Sequence, residues 1–407
     1  MIGALTRDRH SAALPPFVEK LLARWMNGWV GGRVTVELPR GQRLAFGDGS
    51  GPEATLIIKK IGLLWRVATS GSIGFAEGYM AGEWETPDLT ALLTIAARNL
   101  TTIDETGGEG VWGARLFHRL MHAMRANTRA GSRRNIAAHY DLGNDFYRLW
   151  LDPSMTYSSA IFESRTESLS AAQDRKYRRL AGLLNLSNGD HVLEIGCGWG
   201  GFAEVAARDF GCRVTALTVS QAQAEFARAR MDRLGLSSKV EIRLQDYRDI
   251  NERFDAVASV EMFEAVGAEN WRTYFASLRR ALRPGGRAAI QTITIADKNF
   301  DLYRRSADFI QKYIFPGGVL PSPTAFRGAA AAENLTIGDE YFFGAGYAET
   351  VRRWATVFNK EWPAIAQLGF DERFSRMWNY YLSYCEAGFL TKHIDVAQFQ
   401  LVRGRDS

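Results

Sequence analysis

Apolar and polar positions follow three different rhythms along the chain. From about Leu180 onward, short apolar runs alternate with stretches of helical spacing, the pattern expected of a doubly wound, Rossmann-like α/β domain. His191–Ile195, Arg213–Thr218, Val240–Leu244, Ala256–Val260 and Arg287–Ile295 predict its strands. Phe202–Asp209, Gln221–Leu234, Trp271–Leu282 and Ala307–Tyr313 predict helices, and Arg283-Pro284-Gly285-Gly286 predicts the turn that closes one of them. Residues 1 to about 105 differ. There a helical start, Phe17–Trp29, precedes alternating segments, Arg33–Leu38 and Thr55–Val67, that read as strands of a smaller α+β unit. Between Val111 and Tyr140 there is no Asp or Glu, while Arg115, Arg119, Arg125, Arg129, Arg133 and Arg134 interleave with Leu116, Phe117, Leu120, Met121 and Met124. That predicts a basic amphipathic helix and linker over 106–140, suited to an anionic membrane surface or to a solvated basic face. After Phe342, Val351–Phe358 and Arg376–Phe389 have helical spacing and carry Trp and Tyr that belong mostly to core. The expected domains are 1–105, 106–140 and 141–407.

Composition narrows the functional classes. With 407 residues, 46% hydrophobic and 23% charged, wholesale disorder is excluded. No stretch reaches the ~18 to 20 uninterrupted apolar residues of a spanning helix, and the first residues carry no secretory h-region, so a cytoplasmic location is expected. Cys197, Cys212 and Cys385 are too scattered for a disulfide framework or a thiolate metal site, and no metal is expected. A net charge of +5 favours anionic partners: nucleic acid, acidic small molecules or a lipid surface.

The chemistry starts at Val192-Leu193-Glu194-Ile195-Gly196-Cys197-Gly198-Trp199-Gly200-Gly201, a strand running into a glycine turn that opens a helix. Backbone amides can approach a nucleotide-like ligand there. Gly196, Gly198 and Gly201 also satisfy the dinucleotide fingerprint, but Ala216-Leu217-Thr218-Val219-Ser220 offers no acid for a ribose, which counts against NAD. Methyltransferases usually want an acid there too, so its absence selects nothing by itself. Glu194 before the glycines and Gln245-Asp246-Tyr247 at the end of the third strand fit an S-adenosylmethionine pocket, with Asp246 as holder of the adenine edge or as a plain helix cap. Cys197 reads as packing.

Several segments resemble the cyclopropane-fatty-acyl-phospholipid synthase family: His139-Tyr140-Asp141-Leu142-Gly143-Asn144-Asp145, the run Leu151 to Ala160, and Lys312-Tyr313-Ile314-Phe315-Pro316-Gly317-Gly318. Gln245 to Asp249, Val260 to Gly267 and Phe343 to Tyr347 extend the match, and Gly74 to Met80 resembles the family's N-terminal, dimer-forming domain. The resemblance implies a class I methyltransferase fold and methyl transfer from S-adenosylmethionine to a cis double bond of an acyl chain in a membrane phospholipid. It further implies a cyclopropane product, or a methylated or methylene-branched chain if the same cation is deprotonated differently. The expected partners are the phospholipid surface, on the inner face of the membrane, and a second copy of the chain; nucleic acid is not expected. The family's bound bicarbonate base maps onto a network of Ser159, Glu264, Gln291, Ile293 and Tyr347. Two positions depart, Ser159 standing for the common Cys and Gln291 for the common His, and Glu-His-Val-Gly reads Glu264-Ala265-Val266-Gly267. Gln cannot carry the charge or proton of a His, so a carboxylate in place of bicarbonate is the other possibility, with Glu261 and Glu264 as candidates. The cofactor positions carried over are Tyr157, Ser158, Glu194, Gly196, Gly198, Gly200, Thr218, Gln223, Gln245 and Asp246, while the His139 motif is expected to organise a loop. Methylation of a soluble small molecule, and a non-catalytic partner that binds S-adenosylmethionine or lipid while another subunit does the chemistry, are the competing readings.

Overall fold

The computed structural model describes residues 16–100, 142–304 and 308–404. The basic run over 106–140 and the His139 to Asp141 part of its motif lie outside the described residues. The chain forms two compact units.

The smaller unit carries a four-stranded sheet of β1 (Arg33–Glu37), β2 (Arg43–Phe46), β3 (Glu53–Ile58) and β4 (Trp84–Glu85), in the order β2-β1-β3-β4. β1 and β3 are parallel and the outer pairings are antiparallel. The helices Pro16–Met26, Gly62–Met80 and Leu89–Arg98 complete it from the N-terminal part of the chain. The expected strand Thr55–Val67 is corrected here, since β3 stops at Ile58 and a helix starts at Gly62. Leu63 is 1% exposed while Trp65 is 76% exposed; a strand would turn both to one face, whereas a helix separates them by about 200°. This unit also takes in Gly369–His393, from far down the sequence, which the contiguous partition at 105 does not anticipate. The helix Glu372–Leu390 is tied in by Arg376, whose guanidinium donates to the carbonyls of Tyr79 (2.6 Å) and Trp84 (3.1 Å).

The larger unit is a seven-stranded sheet: β5 (His191–Ile195), β6 (Arg213–Thr218), β7 (Val240–Leu244), β8 (Phe254–Val260), β9 (Leu282–Ile295), β10 (Leu335–Phe342) and β11 (Ile394–Arg403). Their order is β10-β11-β9-β8-β5-β6-β7. β5 to β9 are mutually parallel; β11 joins β9 antiparallel, and β10 joins β11 antiparallel and so runs with β5 to β9 again. Both faces are covered. One packs Val192, Val214 and Ala216 against Leu180, Phe202, Ala203 and Met231; the other packs Leu193, Leu217 and Val257 against Tyr274, Phe275, Leu278 and Phe326. Three predicted strands have the observed boundaries. β8 and β9 start earlier, because Arg283 to Gly286 bulge out of the ladder between the pairs Phe254/Leu282 and Ala256/Arg287. β10 and β11 were not predicted: β10 is a largely exposed edge carrying Asp339 and Glu340, and β11 buries Gln398 in place of an apolar residue. Sheet order reverses between β5 and β8, so the carboxyl ends of these parallel strands open a crevice there, the usual ligand position in such sheets.

Candidate active site

Two clusters of side chains meet the carboxyl ends of β5 to β9. The first is the glycine turn. Gly196, Gly198 and Gly200 all have positive φ (83°, 51° and 84°), which winds the chain tightly from β5 into the helix Gly201–Asp209. A Cβ on Gly196 would stand 2.7 Å from Met262 Cγ, whereas one on Gly198 would meet no protein atom within 4 Å. The turn thus presents backbone to open space at Gly198. Under it, Glu194 is buried, accepts the amide of Ala203, and keeps Oε2 without a hydrogen-bond partner; burial holds its carboxyl well above the ordinary range. Cys197 is buried and its thiol pushed up, in keeping with packing.

The neighbouring strand ends supply the rest of this pocket. Thr218 Oγ1 donates to Gln223 Oε1 at 2.9 Å, both buried, and Ser220 caps the helix that carries Gln223. Gln245 closes on Thr218 by its backbone amide (3.0 Å). Asp246 caps the turn Tyr247–Asp249 and pairs with Arg248 at 2.6 Å, so the capping role is present whatever else it holds. Tyr157 sits among Tyr147, Trp150 and Trp354 with ring centroids 5.3 to 5.6 Å away.

The second cluster is centred on Glu261. β8 ends at Val260 and Glu261 turns off it with φ 50°, unusual for a residue with a side chain, while its amide donates to the Gln291 carbonyl at 2.8 Å. Glu261 Oε1 accepts from Ser158 Oγ (2.7 Å), Ser159 N (3.0 Å) and Gln291 Nε2 (2.7 Å), and Oε2 accepts from Tyr347 OH (2.6 Å). Tyr347 arrives because the helix Gly344–Lys360 starts against the 156–161 segment: a Cβ on Gly346 would lie 2.4 Å from the Ala160 carbonyl oxygen, so only glycine permits the approach. Beneath, Lys176 is fully buried and its Nζ donates to Ser158 Oγ at 2.8 Å. Burial pushes this ammonium down to about 7, against the pull of Glu261, Asp152 and Glu194.

The structure gives the two candidate carboxylates different surroundings. Of the expected network, Ser159, Gln291 and Tyr347 all end on Glu261. Glu264 stands apart: Oε1 accepts from Ile293 N at 2.5 Å and Oε2 has no partner. Ser158, carried over as a cofactor position, belongs to the Glu261 cluster. Lys176, Gln173, Arg179 and Gln398 were missed. The one available signal was the spacing of Gln173, Lys176 and Leu180 on the buried stripe of the helix Leu169–Leu184, which places polar groups where apolar ones belong.

Glu264 gives a stability test. Burial, then repulsion from Glu261, raises its carboxyl from 4.5 to about 8. The folded state keeps this proton longer than the unfolded chain, so stability present below the unfolded value is lost as pH rises through about 8. Glu264→Gln, neutral throughout, is expected to gain on the native protein by several degrees of Tm between about pH 5 and pH 8. Parallel Tm curves over that range would show a carboxylate already ionised in the fold.

A reversed parallel sheet with a glycine turn at the reversal and an antiparallel final pair defines the S-adenosylmethionine-dependent methyltransferase class. The model of the family described as mycolic acid cyclopropane synthetase matches residues 127–399. Among relatives, the tuberculostearic acid methyltransferase UfaA1 of Mycobacterium tuberculosis is 40% identical, over 91% of this chain and 89% of its own. The cyclopropane-fatty-acyl-phospholipid synthase of Escherichia coli K12 is 37% identical, over 88% and 90%. The mycolic acid cyclopropane synthase CmaA1, solved as a complex with SAH and CTAB, superposes with TM-score 0.63 at 30% identity, over 67% of this chain and 98% of that one. The chain belongs to the mycolic acid cyclopropane synthetase family. It is a methyltransferase whose cofactor is S-adenosylmethionine, as the resemblance implied.

The residues present fit that cofactor: open space faces the turn at Gly198, and Glu194 holds an unpartnered buried oxygen below it. They do not fit a separate bicarbonate, because Ser159 N, Gln291 Nε2 and Tyr347 OH, three of its expected holders, are engaged by Glu261.

Proposed function

We propose that this enzyme methylates the cis double bond of an unsaturated acyl chain carried by a membrane phospholipid, that Glu261 takes the proton the chain then loses, and that the product is methylene-branched. The observation that carries this reading is the set of four donors converging on the Glu261 carboxylate. Gly196, Gly198, Gly200, Thr218, Gln223 and Asp246 would hold S-adenosylmethionine, which would supply an electrophilic methyl group.

An alkene is a weak nucleophile, so the chain's own residues contribute mainly position and dryness. Tyr347, which donates to Glu261, is joined through Trp354 to Tyr157 and Trp150 by ring contacts of 5.3 to 6.2 Å, and such rings tolerate positive charge on a substrate carbon. Oε1 of Glu261 is saturated by three donors, while Oε2 has only Tyr347 and retains a lone pair for the proton.

Product choice depends on how quickly that proton leaves. Ring closure and methylene formation both remove it from the incoming methyl carbon. Prompt removal closes the ring. Slow removal allows a hydride to shift first, moving the cation to the methyl-bearing carbon, so that loss of the same proton leaves an exocyclic C=CH2. Each route adds one CH3 and loses one H+. A carboxylate tied by four donors is a reluctant base, which favours the slower route. The cyclopropane expected from the sequence is the other outcome, and the 37% identical Escherichia coli synthase keeps it in view.

The test incubates the protein with S-adenosylmethionine and vesicles of unsaturated phospholipid in bicarbonate-free buffer, then weighs and ozonises the released acyl chains. A gain of one CH2 with an ozone-cleavable product, independent of added bicarbonate, is expected. An ozone-resistant product would establish the ring instead, and turnover of soluble substrates with none on vesicles would overturn the lipid assignment. Among the described residues no helix is long and apolar enough to cross a membrane.

A further inference from the structure

We infer that Arg179 is a positioning residue that, through Gln398, sets the direction of the Gln291 amide and so delivers its N–H to Glu261. This rests on the reading of Glu261 as the base. An amide side chain can present either its oxygen or its NH2 to a given neighbour, and something outside it must decide which. A guanidinium has only donors, so it can decide.

Each link has one polarity. Arg179 Nη1 donates to Gln398 Oε1 at 2.8 Å, which turns the Gln398 NH2 inward. That NH2 donates to Gln291 Oε1 at 3.0 Å and to the Lys176 carbonyl at 3.2 Å. With its oxygen occupied, Gln291 has only its NH2 to offer on the other side, where it reaches Glu261 Oε1 (2.7 Å), Ser159 Oγ (3.0 Å) and Ser158 Oγ (3.1 Å). The backbone fixes the pair side by side: Gln398 of β11 and Gln291 of β9 are register partners, and both are wholly buried. A reversed Gln291 would set its carbonyl oxygen against the Glu261 carboxylate and bring two NH2 groups face to face, leaving buried groups unsatisfied on both sides.

Arg179 itself lies at the rim. Its side chain is 27% exposed, it pairs with Asp339 at 3.3 Å, and its guanidinium lies 4.1 Å from the centroid of the Tyr341 ring. A residue at the sheet edge therefore governs the polarity of a site it does not touch. Three residues that sequence reading left unassigned, Arg179, Gln398 and the buried carbonyl of Lys176, acquire a common role.

The experiment uses the full chain with S-adenosylmethionine and unsaturated phospholipid vesicles. Arg179→Met keeps the apolar stem and removes the donors; Arg179→Lys restores a donor; Gln291→Leu removes the amide being oriented. Arg179→Met is expected to lower kcat about tenfold, the scale of one charge-assisted hydrogen bond, with KM and the affinity for S-adenosylmethionine within about twofold of native. Arg179→Lys should recover most of the loss. In the Gln291→Leu background, Arg179→Met should cost little more, because the two changes remove the same delivered donor. A native kcat in Arg179→Met, or a loss that multiplies fully with that of Gln291→Leu, would overturn the inference. Glu261→Gln, measured alongside, separates the two readings: its retention of full activity would remove the base assignment, whereas its inactivity together with a native Arg179→Met would remove only the positioning role.

Discussion

Glu261→Gly is expected to fold and bind S-adenosylmethionine like the native protein yet to lose methylation by about 10²- to 10⁴-fold, the range that a positioned general base contributes. The backbone argument makes glycine the informative replacement. Glu261 has φ 50°, a region that disfavours side chains and that glycine enters freely. Removing the side chain relaxes the backbone while deleting the carboxylate, which offsets part of the cost of leaving its buried donors unpaired, so Tm is expected to fall by only a few degrees. It also frees the donors of Ser158, Ser159, Gln291 and Tyr347. Small carboxylates such as formate, and bicarbonate, have the shape to accept them, so partial restoration of initial rate by either is expected. Rescue by bicarbonate should shift product towards the ozone-resistant ring, because bicarbonate is a stronger base than a side-chain carboxylate and removes the proton sooner. A native rate without any added anion would show that the proton leaves by another path.

Gly198→Leu is expected to weaken S-adenosylmethionine binding by about 100-fold or more in calorimetry, with a Tm change of only a few degrees. At Gly198 the backbone has φ 51° and a Cβ meets no protein atom within 4 Å. A side chain there costs roughly 1 kcal/mol of left-handed strain and projects into the space the cofactor needs, where backbone amides must come close to the ligand. Gly196→Ala provides the contrast. Its Cβ would press on Met262 at 2.7 and 2.9 Å, with φ 83°, so it should unfold the turn and lower Tm as well as affinity. Equal affinity in Gly198→Leu and native protein would place the cofactor elsewhere.

Both experiments concern residues at the ends of predicted strands, and that is where the sequence was most informative. A parallel strand buried on both faces must be nearly all apolar, and the glycine turn after β5 requires residue types that no other local structure needs. The inner strands His191–Ile195 and Arg213–Thr218 could therefore be read to the residue, and the edge strand Val240–Leu244 reads instead as an alternation that buries Val240 and Ile242. The last two strands, β10 and β11, escaped because their pattern depends on neighbours: β11 buries Gln398 only because Gln291 and Lys176 meet it there. The helix Gly62–Met80 was misread over its first turn for a related reason, the contrast between Leu63 and Trp65 being visible only once one face is covered.

By itself the sequence determined the doubly wound fold and the glycine turn, which follow from periodicity and glycine geometry, while the resemblance pointed to Ser159, Gln291 and Tyr347 but not to Lys176, Arg179 or Gln398 beside them. The different surroundings of Glu261 and Glu264 belong to the tertiary structure alone. Three residues apart in the chain, they differ because one backbone turn with φ 50° carries Glu261 to donors from residues 158, 159, 291 and 347, while Glu264 is left with a single amide from Ile293. The stability of a buried carboxylate depends on how many donors surround it in space, and that number is a property of the fold.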